Sequence, residues 1–375
     1  MRFRSIRHLR PWSVKRLLPW IFLAILAALL AIATGGLGLR QQAAVFPAGG
    51  TASADDSITA GPALPEAHAN APDALRPASG KQLKFGITTQ NGVKDADSVA
   101  RNAGEYPAMI QTYSDFTSRF DIADILATLA KGAEPIITWE PWRMGQGTDQ
   151  PAYRLRTIID GSHDAYITAV AGQLVAAGDP AIAIRFAHEM NGYWYPWCEL
   201  ANGNQPGEYV QAWRHVVGIF DAKGLKNVHW IWSPNAPGAG TQDLAGIYPG
   251  SRYVTQIGLD AYNFGSRGAD KPWLPASALF ADGLRALAEV APDKEILIAE
   301  TASAQSEGSN TKAAWITDMV QYLDHWNGPG PAKITGFLWF NYNKYEAAAN
   351  RQIDWRFDST PEGRRAMKSA LQNRR

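Results

Sequence analysis

Short apolar runs alternate with helical patterns from residue 81 to residue 375. Most of the apolar runs are continuous stretches of β-branched and aromatic residues, which is typical of strands buried on both faces of a parallel sheet. The predicted strands are residues 83–88, 107–112, 135–140, 181–187, 228–233, 255–260, 295–300 and 334–340. The predicted helices are residues 122–130, 165–177, 209–222, 278–290, 313–326 and 362–372.

Eight strands with intervening helices predict an α/β protein, and within that class a (β/α)8 TIM barrel. A doubly wound open sheet fits the same alternation, but it usually carries a glycine-rich phosphate-binding turn after its first strand. Residues 85–88 are Phe-Gly-Ile-Thr instead. The chain also has neither a Walker-type loop nor a G-x-S-x-G nucleophile elbow. The barrel is therefore the favoured architecture.

The N-terminus predicts a membrane anchor. Residues 17–39 contain no charge and are long enough to span a bilayer as a helix. Six basic residues and no acidic one precede them at residues 1–16, so the positive-inside rule predicts a basic cytoplasmic segment and a single-pass transmembrane signal anchor. A cleaved signal peptide, with Ala52-Ser53-Ala54 as the cleavage site and a secreted product, is the alternative. The apolar run exceeds the roughly 7–15 residues usual in signal peptides, which favours the anchor.

Residues 40–80 are predicted to be a linker. Ala, Pro and Gly make up 21 of the 40 residues from 41 to 80, and such a segment cannot bury enough apolar surface to fold. The predicted folded domain is therefore residues 81–375. The charge bias at the N-terminus puts that domain on the periplasmic or extracellular side of the cytoplasmic membrane.

Composition and charge narrow the class of ligand. The 375 residues are 46% hydrophobic, which is enough for a sizeable core. Seven of the 36 basic residues lie in the first 40 residues, where there is no acidic residue, so the remaining 29 basic residues face 35 acidic ones. A mildly acidic domain lacks the basic surface that nucleic acid requires, so we expect no nucleic-acid partner and a neutral ligand. The sequence leaves the oligomeric state open.

The sequence predicts neither a metal nor a cofactor. Cys198 is the only cysteine, so no intramolecular disulfide and no cysteine-rich metal site can form. His188 and Glu189 begin like the zinc motif H-E-x-x-H, but Gly192 stands where the second histidine belongs.

Candidate chemistry lies at the carboxyl ends of the predicted strands, where barrels carry their active sites. The polar and aromatic residues at these ends are Glu140, Trp142, His188, Glu189, Trp194, Trp197, Trp232, Asn235, Tyr262, Glu300 and Trp339. A single glutamate at a strand end is more often a solvated loop residue. Two of them, Glu189 and Glu300, among tryptophans are what cleavage of a glycosidic bond needs, because one acid protonates the leaving oxygen while a second carboxylate stabilises or attacks the anomeric carbon.

Five segments resemble glycoside hydrolase family 26, which contains β-mannanases, lichenases and β-1,3-xylanases. The most specific is residues 185–197 (RFAHEMNGYWYPW), which resembles the strand-four signature of that family. Residues 296–301 (ILIAET) resemble its strand-seven nucleophile segment. The other three, which resemble its strand-five, strand-six and strand-eight segments, are residues 232–235 (WSPN), 258–262 (GLDAY) and 337–341 (FLWFN).

The resemblance implies a role for each matching residue. Glu189 would be the acid/base and Glu300 the nucleophile of a retaining endo-β-glycosidase. His188 would bind the sugar or orient Glu189, and Tyr262 would donate to Glu300. Trp339 would be the platform under the sugar at the cleavage point, and Trp194 and Trp197 would line neighbouring subsites. The other residues predicted to bind substrate are Glu140, Trp142, Trp232 and Asn235.

One departure from the family affects the expected substrate. Residues 139–142 are Trp-Glu-Pro-Trp, whereas the mannanases typically place a histidine in this region, and the tetrapeptide resembles the glucanase-type members. A β-glucan or an exopolysaccharide is therefore expected at least as much as mannan. Two other functions stay open: a non-catalytic polysaccharide-binding or scaffold protein, and a transglycosylase that uses the same barrel.

Overall fold

A computed structural model describes residues 77–265, 273–306, 308, 311–329, 332–346 and 349–375. The predicted basic segment, the predicted anchor at residues 17–39 and most of the predicted linker lie outside these ranges. No helix within the ranges combines the length and the apolar character needed to cross a membrane.

The predicted barrel is confirmed. Its eight strands are β1 (Lys84–Thr88), β2 (Met109–Asp115), β3 (Glu134–Glu140), β4 (Ile182–Phe186), β5 (Val228–Trp232), β6 (Gln256–Asn263), β7 (Ile296–Ser303) and β8 (Ile334–Phe340). Each strand pairs in parallel with the next, and β1 pairs with β8, so the sheet closes on itself. Three strands run beyond their predicted ends, because β2, β6 and β7 continue into polar residues that the apolar pattern did not include.

Helices surround the barrel. They are α1 (Val93–Ala103), α2 (Ile122–Ala130), α3 (Leu155–Ile159), α4 (Asp164–Ala176), α5 (Glu208–Ala222), α6 (Ala276–Val290), α7 (Lys312–His325) and α8 (Pro361–Asn373). Three of them begin at N-cap side chains that accept a backbone N–H, namely Asp121, Thr311 and Thr360. The helices α1 and α3 were not predicted. An unpredicted antiparallel hairpin, β9 (Asn343–Glu346) and β10 (Arg351–Asp354), follows the last barrel strand.

The core has two layers. The interior of the barrel is filled by a small apolar cluster: Met109, Ile136, Ala183, Ile231, Leu297, Ala299 and Leu338. A larger apolar layer, with most of the buried tryptophans, lies between the strands and the helices. The interior is narrow, since a Cβ at Gly86 would lie 2.9 Å from the Leu338 side chain. The filled interior leaves only the carboxyl ends of the strands free to form a site.

Candidate active site

Polar side chains occupy the inward positions above the apolar interior layer. Side chains alternate between the two faces of a strand, so the inward positions can be counted from the interior cluster. They bear Tyr113 of β2, Glu140 of β3, Arg185 of β4, Ser233 after β5 and Asp260 of β6. All of these except Tyr113 are buried. The mouth of the barrel therefore contains several ionisable groups that are largely removed from water.

A β-bulge aims Glu300 into this mouth. Leu259 of β6 pairs with Ile298 of β7, and the next pair is Asp260 with Glu300, so Ala299 is one extra residue in β7. Ala299 faces the barrel interior, and strict alternation would therefore turn Glu300 toward the helices. The bulge returns its side chain to the inward face, which is a common use of bulges beside active sites.

Glu189 comes from the loop after β4, in a backbone conformation that few residues adopt. Glu189 has a φ of 51° and Ala187 a φ of 44°, both in the left-handed region that is unfavourable for side chains with a Cβ. Backbone hydrogen bonds hold the turn, with the Ala187 N–H donating to the Trp139 carbonyl and the Glu189 N–H to the Ser233 carbonyl, at 3.0 and 2.8 Å. The neighbouring strands thus fix the direction of the Glu189 side chain.

Four donors on three side chains converge on the Glu300 carboxylate. Arg185 donates from Nη1 and Nη2 to Oε1 at 2.8 and 2.5 Å, and the Tyr113 hydroxyl donates to the same oxygen. The Tyr262 hydroxyl donates to Oε2 at 2.7 Å. Arg185 also pairs with Asp260 at 3.2 Å. Burial raises the pKa of Tyr113 and of Tyr262 well above the usual value, so both hydroxyls stay protonated as donors.

Glu189 faces Glu300, and within the described ranges its carboxyl group accepts only from neutral donors. Asn235 Nδ2 donates to its Oε1 at 2.8 Å, and Trp194 Nε1 donates to its Oε2 at 2.7 Å. One oxygen each of Glu189, Asp260 and Glu300 lie within 4.8 Å of one another. Burial, and next the charge of Glu300, raise the pKa of Glu189 above its usual value. The arrangement therefore favours a proton on Glu189.

Glu140 is a third buried glutamate at the mouth. Its side chain accepts one hydrogen bond, from Trp142 Nε1 to Oε2 at 3.1 Å. Burial raises the pKa of Glu140 to about 8, and the charge of Glu300 adds to the increase, while the Trp142 bond opposes it. Glu140 is consequently mostly protonated at neutral pH.

Aromatic side chains and His188 line the wall between these glutamates. The rings of Tyr195 and Trp197 stack at 4.3 Å, and the imidazole of His188 lies 4.9 Å from Tyr195. His188 Nδ1 is buried without a hydrogen-bond partner among the described residues, and burial, with Arg185 next, lowers its pKa well below the usual range. Trp197 is fully buried, so it supports this wall rather than lining a subsite as predicted.

Gly192, where the zinc motif would have its second histidine, allows Trp194 to reach Glu189. A Cβ at position 192 would lie 2.5 Å from the Trp194 ring, so any side chain there displaces the indole. Trp194 and Trp142 are partly exposed, and each donates its indole N–H to a buried glutamate.

The predictions for Trp339 and Trp232 are wrong. Trp339 is fully buried, donates to the Trp355 carbonyl at 3.0 Å and packs edge-on against Trp315 of α7. Leu338 faces the barrel interior, so alternation turns Trp339 toward the helices. Trp232 follows inward-facing Ile231 in the same way, and its ring packs against Tyr248.

Five residues of the site were not predicted to take part in it: Tyr113, Arg185, Tyr195, Asp260 and Phe340. Each except Tyr195 occupies an inward position at the end of its strand, which counting by two along the strand would have found. Phe340, directly after Trp339, holds the inward position of β8, with its ring 5.7 Å from that of Tyr262 and stacked at 4.5 Å on Tyr342. Phe340, rather than Trp339, therefore faces the mouth of the barrel from β8.

The three close oxygens of Glu189, Asp260 and Glu300 are a candidate cation site by distance alone. Arg185 already pairs with two of these groups, Asp260 and Glu300. A divalent cation bound there would lie beside a fully buried guanidinium and would be repelled by it. The residues present therefore suit an internal ion pair better than a metal.

The fold and the site together define a class of protein. A (β/α)8 barrel with two facing glutamates and aromatic side chains at the carboxyl ends of its strands is the arrangement of glycoside hydrolases. The chain belongs to Glycosyl hydrolase family 26, whose sequence model matches residues 85–328. The predicted family resemblance is confirmed.

Relatives of known activity match parts of the chain. Endoglucanase H of Acetivibrio thermocellus is 36% identical over 253 residues, which are 65% of this chain and 25% of that protein. A mannan endo-1,4-beta-mannosidase of Bacillus subtilis is 36% identical over 87 residues, 22% of this chain and 23% of that protein. The matches cover only 16% to 29% of the length of the curated relatives.

Solved structures share the fold. The catalytic domain of the endo-beta-1,4-mannanase of Bacillus sp. JAMB-750 superposes with a TM-score of 0.57 at 20% identity, over 79% of this chain and 87% of that one. The endo-beta-1,4-mannanase of Cellulomonas fimi gives the same TM-score at 19% identity, over 78% of this chain and 71% of that one. At this identity the likeness supports the barrel alone.

Proposed function

We propose that this protein is a retaining endo-β-glycosidase in which Glu189 is the acid/base and Glu300 the nucleophile. The observation that carries the proposal is the pair of buried carboxyl groups whose oxygens lie within 4.8 Å. Retaining enzymes hold their two carboxyl groups about 5–5.5 Å apart, whereas inverting enzymes leave about 6.5–9.5 Å for a water molecule. The spacing supports attack by a carboxylate rather than by water.

The hydrogen bonds give each glutamate a different task. The Arg185 guanidinium and two tyrosine hydroxyls orient Glu300 for attack on the anomeric carbon, while protonated Glu189 gives its proton to the leaving oxygen. The product of this step is a glycosyl ester on Glu300. Glu189, now ionised, removes a proton from the water that cleaves the ester and returns to its protonated form.

The proposed substrate is a β-linked polysaccharide, with a β-glucan or an exopolysaccharide ahead of mannan. The endoglucanase matches over 253 residues, whereas the mannanase matches are 87 to 106 residues long. We also propose that residues 17–39 anchor the chain in the cytoplasmic membrane with the barrel outside, secretion after cleavage being the alternative. The uncharged run and the basic residues before it support the anchor.

Substitution of each glutamate tests the mechanism. Glu300→Ala is expected to abolish release of reducing sugar from polysaccharide, because no nucleophile remains. Glu189→Ala is expected to slow polysaccharide cleavage about 10²–10⁴-fold. The same variant should form the glycosyl ester at a near-normal rate from a dinitrophenyl β-glycoside, whose leaving group needs no proton. Azide should then rescue turnover and yield the β-glycosyl azide.

A control separates these effects from the loss of a glutamate elsewhere in the barrel. Glu134 begins β3, at the opposite end of the barrel, where its side chain is 38% exposed. Glu134→Gln is expected to keep normal activity. Full activity of Glu300→Ala on its polysaccharide would overturn the assignment. Binding without cleavage by the unaltered chain would favour the scaffold alternative, and products longer than the starting oligosaccharide would favour transglycosylation.

A further inference from the structure

Glu140 has a position in the mouth that the proposed mechanism does not use. It ends β3 on the inward face and is 3% exposed. Only Oε2 has a hydrogen bond from the described residues, the one from Trp142. Oε1 is not among the side-chain atoms that are fully buried without a partner, so this oxygen reaches the surface of the cleft.

The charges around Glu140 oppose its ionisation. Asp115 of β2 and Glu300 of β7 are acidic groups that act on it, and among the described residues Arg185 of β4 is a cation that opposes them. Arg185 is already bound to Glu300 and Asp260. In the described part of the chain Glu140 forms no ion pair with lysine or arginine, and a buried charge without such a partner is unfavourable.

The hydrogen bond from the Trp142 indole determines which oxygen of Glu140 carries the carboxyl proton. An indole N–H can only donate, so Oε2 must be an acceptor and the carboxyl proton belongs on Oε1, the oxygen that reaches the cleft. Trp142 is itself held edge-on by Tyr195 and Trp197, with ring centroids 5.5 Å apart in each case. The carboxyl group is thus presented to the cleft as a fixed O–H donor.

The substrate side of the cleft offers a partner for that donor. The Tyr195 ring lies 5.5 Å from the ring of Trp142, which donates to Glu140, and 4.9 Å from the imidazole of His188, which precedes Glu189. The carboxyl oxygens of Glu189 and Glu300 in turn lie within 4.8 Å of each other, so the three glutamates border one space at the mouth of the barrel. A sugar bound between Glu189 and Glu300 lies within that space, and its hydroxyl oxygens are the acceptors it can present.

We propose that Glu140 is a specificity-determining residue whose neutral carboxyl group donates a hydrogen bond to a ring hydroxyl of the sugar at or next to the cleavage point. The inference rests on the proposed glycosidase function. A neutral carboxyl group can donate a hydrogen bond to the sugar, whereas an ionised glutamate at this position could only accept one. A sugar whose hydroxyl points away from Glu140 leaves the buried O–H unpaired and is bound less well.

The test compares Glu140→Gln with Glu140→Ala in the full-length chain. Glutamine can present the same pattern, with its carbonyl accepting from Trp142 and its N–H donating to the sugar. On barley β-glucan, we expect Glu140→Ala to lower kcat/KM about tenfold to a hundredfold. Glu140→Gln should retain at least about tenfold more kcat/KM than Glu140→Ala, and Glu134→Gln should match the unaltered chain.

A pH profile adds a result that a merely structural role would not produce. On dinitrophenyl β-cellobioside, kcat/KM reports formation of the glycosyl ester, which needs no proton from Glu189. We expect the unaltered chain to lose kcat/KM with an apparent pKa of about 8, the value for Glu140, and Glu140→Gln to lack this loss.

Two results would overturn the proposal: equal losses in the two Glu140 variants when both are folded, or an alkaline limb that Glu140→Gln does not change. Failure of the proposed function itself looks different. In that case the unaltered chain cleaves neither β-glucan nor mannan nor xylan, and substitution of Glu300 has no effect on any substrate.

Discussion

Replacement of Glu140 by glutamine should make the protein more stable in alkaline solution. The amide keeps the shape of the carboxyl group and its bond to Trp142 but cannot ionise. Burial, and after it the charge of Glu300, raise the pKa of Glu140 from the ordinary 4.5 to about 8 in the folded chain. The unfolded chain keeps the ordinary value, so the two states bind the proton differently across this range.

The direction and size of the change in stability with pH follow from these two pKa values. Below pH 4.5 both states are protonated, and the contribution of protonated Glu140 to stability is fully present. Between pH 4.5 and pH 8 only the folded state keeps the proton, so the free energy of unfolding falls by about 1.4 kcal/mol per pH unit, about 5 kcal/mol in all. This figure is an upper limit, because water that enters the open mouth would stabilise the ionised form.

Urea unfolding followed by tryptophan fluorescence measures the effect. The free energy of unfolding of Glu140→Gln minus that of the unaltered chain should rise by up to about 4 kcal/mol between pH 5 and pH 8 and then stay level. Every other group titrates in both proteins, so its contribution cancels. Glu134→Gln, in which the exposed end of the same strand loses its charge, should show no such rise. A difference for Glu140→Gln that is constant from pH 5 to pH 8 would refute the reasoning.

Two other substitutions test the hydrogen bond from Trp194 to Glu189 and the corrected position of Trp339. Trp194→Phe removes an N–H donor to Glu189 Oε2, and that donor stabilises the ionised carboxylate. In the Glu140→Gln background, where the loss caused by Glu140 is absent, the alkaline limb of kcat/KM on polysaccharide should therefore move up by about one pH unit; an unmoved limb would show that the indole does not act on the acid. Trp339→Leu should lower the free energy of unfolding by about 3 kcal/mol while the KM for polysaccharide stays within about threefold. A large rise in KM with unchanged stability would indicate that Trp339 lines the cleft after all.

The apolar pattern predicts the barrel well because every strand is buried on both faces. The predicted starts of β5 and β8 agree with the structure, and so do both bounds of α2. The pattern fails for α1, whose buried face is made mainly of alanines, Ala96, Ala100 and Ala103, with Val99. Small residues give little contrast between a buried and an exposed face, so such a helix is not visible in hydropathy.

The candidate site could be predicted from the sequence only in part. The motifs predicted Glu189 and Glu300 as the catalytic pair, and counting by two along the strands would have turned Trp232 and Trp339 toward the helices. The same counting alone would have rejected Glu300, because Ala299 already faces inward. Only the pairing with β6 reveals the bulge that reorients Glu300, and strand pairing is a long-range property that no local pattern in β7 contains.

The distribution of donors explains why two glutamates in one cleft can differ in role. Glu300 holds the buried guanidinium of Arg185, which compensates negative charge on the carboxylate it contacts. Glu189 and Glu140 receive only indole and amide N–H groups, which orient a carboxyl group but supply no net charge. In the described part of the chain, Glu300 is paired with the Arg185 guanidinium, whereas Glu189 and Glu140 accept only from neutral groups. The proposed difference in role between Glu189 and Glu300 therefore depends on Arg185, which lies on β4 just before the loop that carries Glu189.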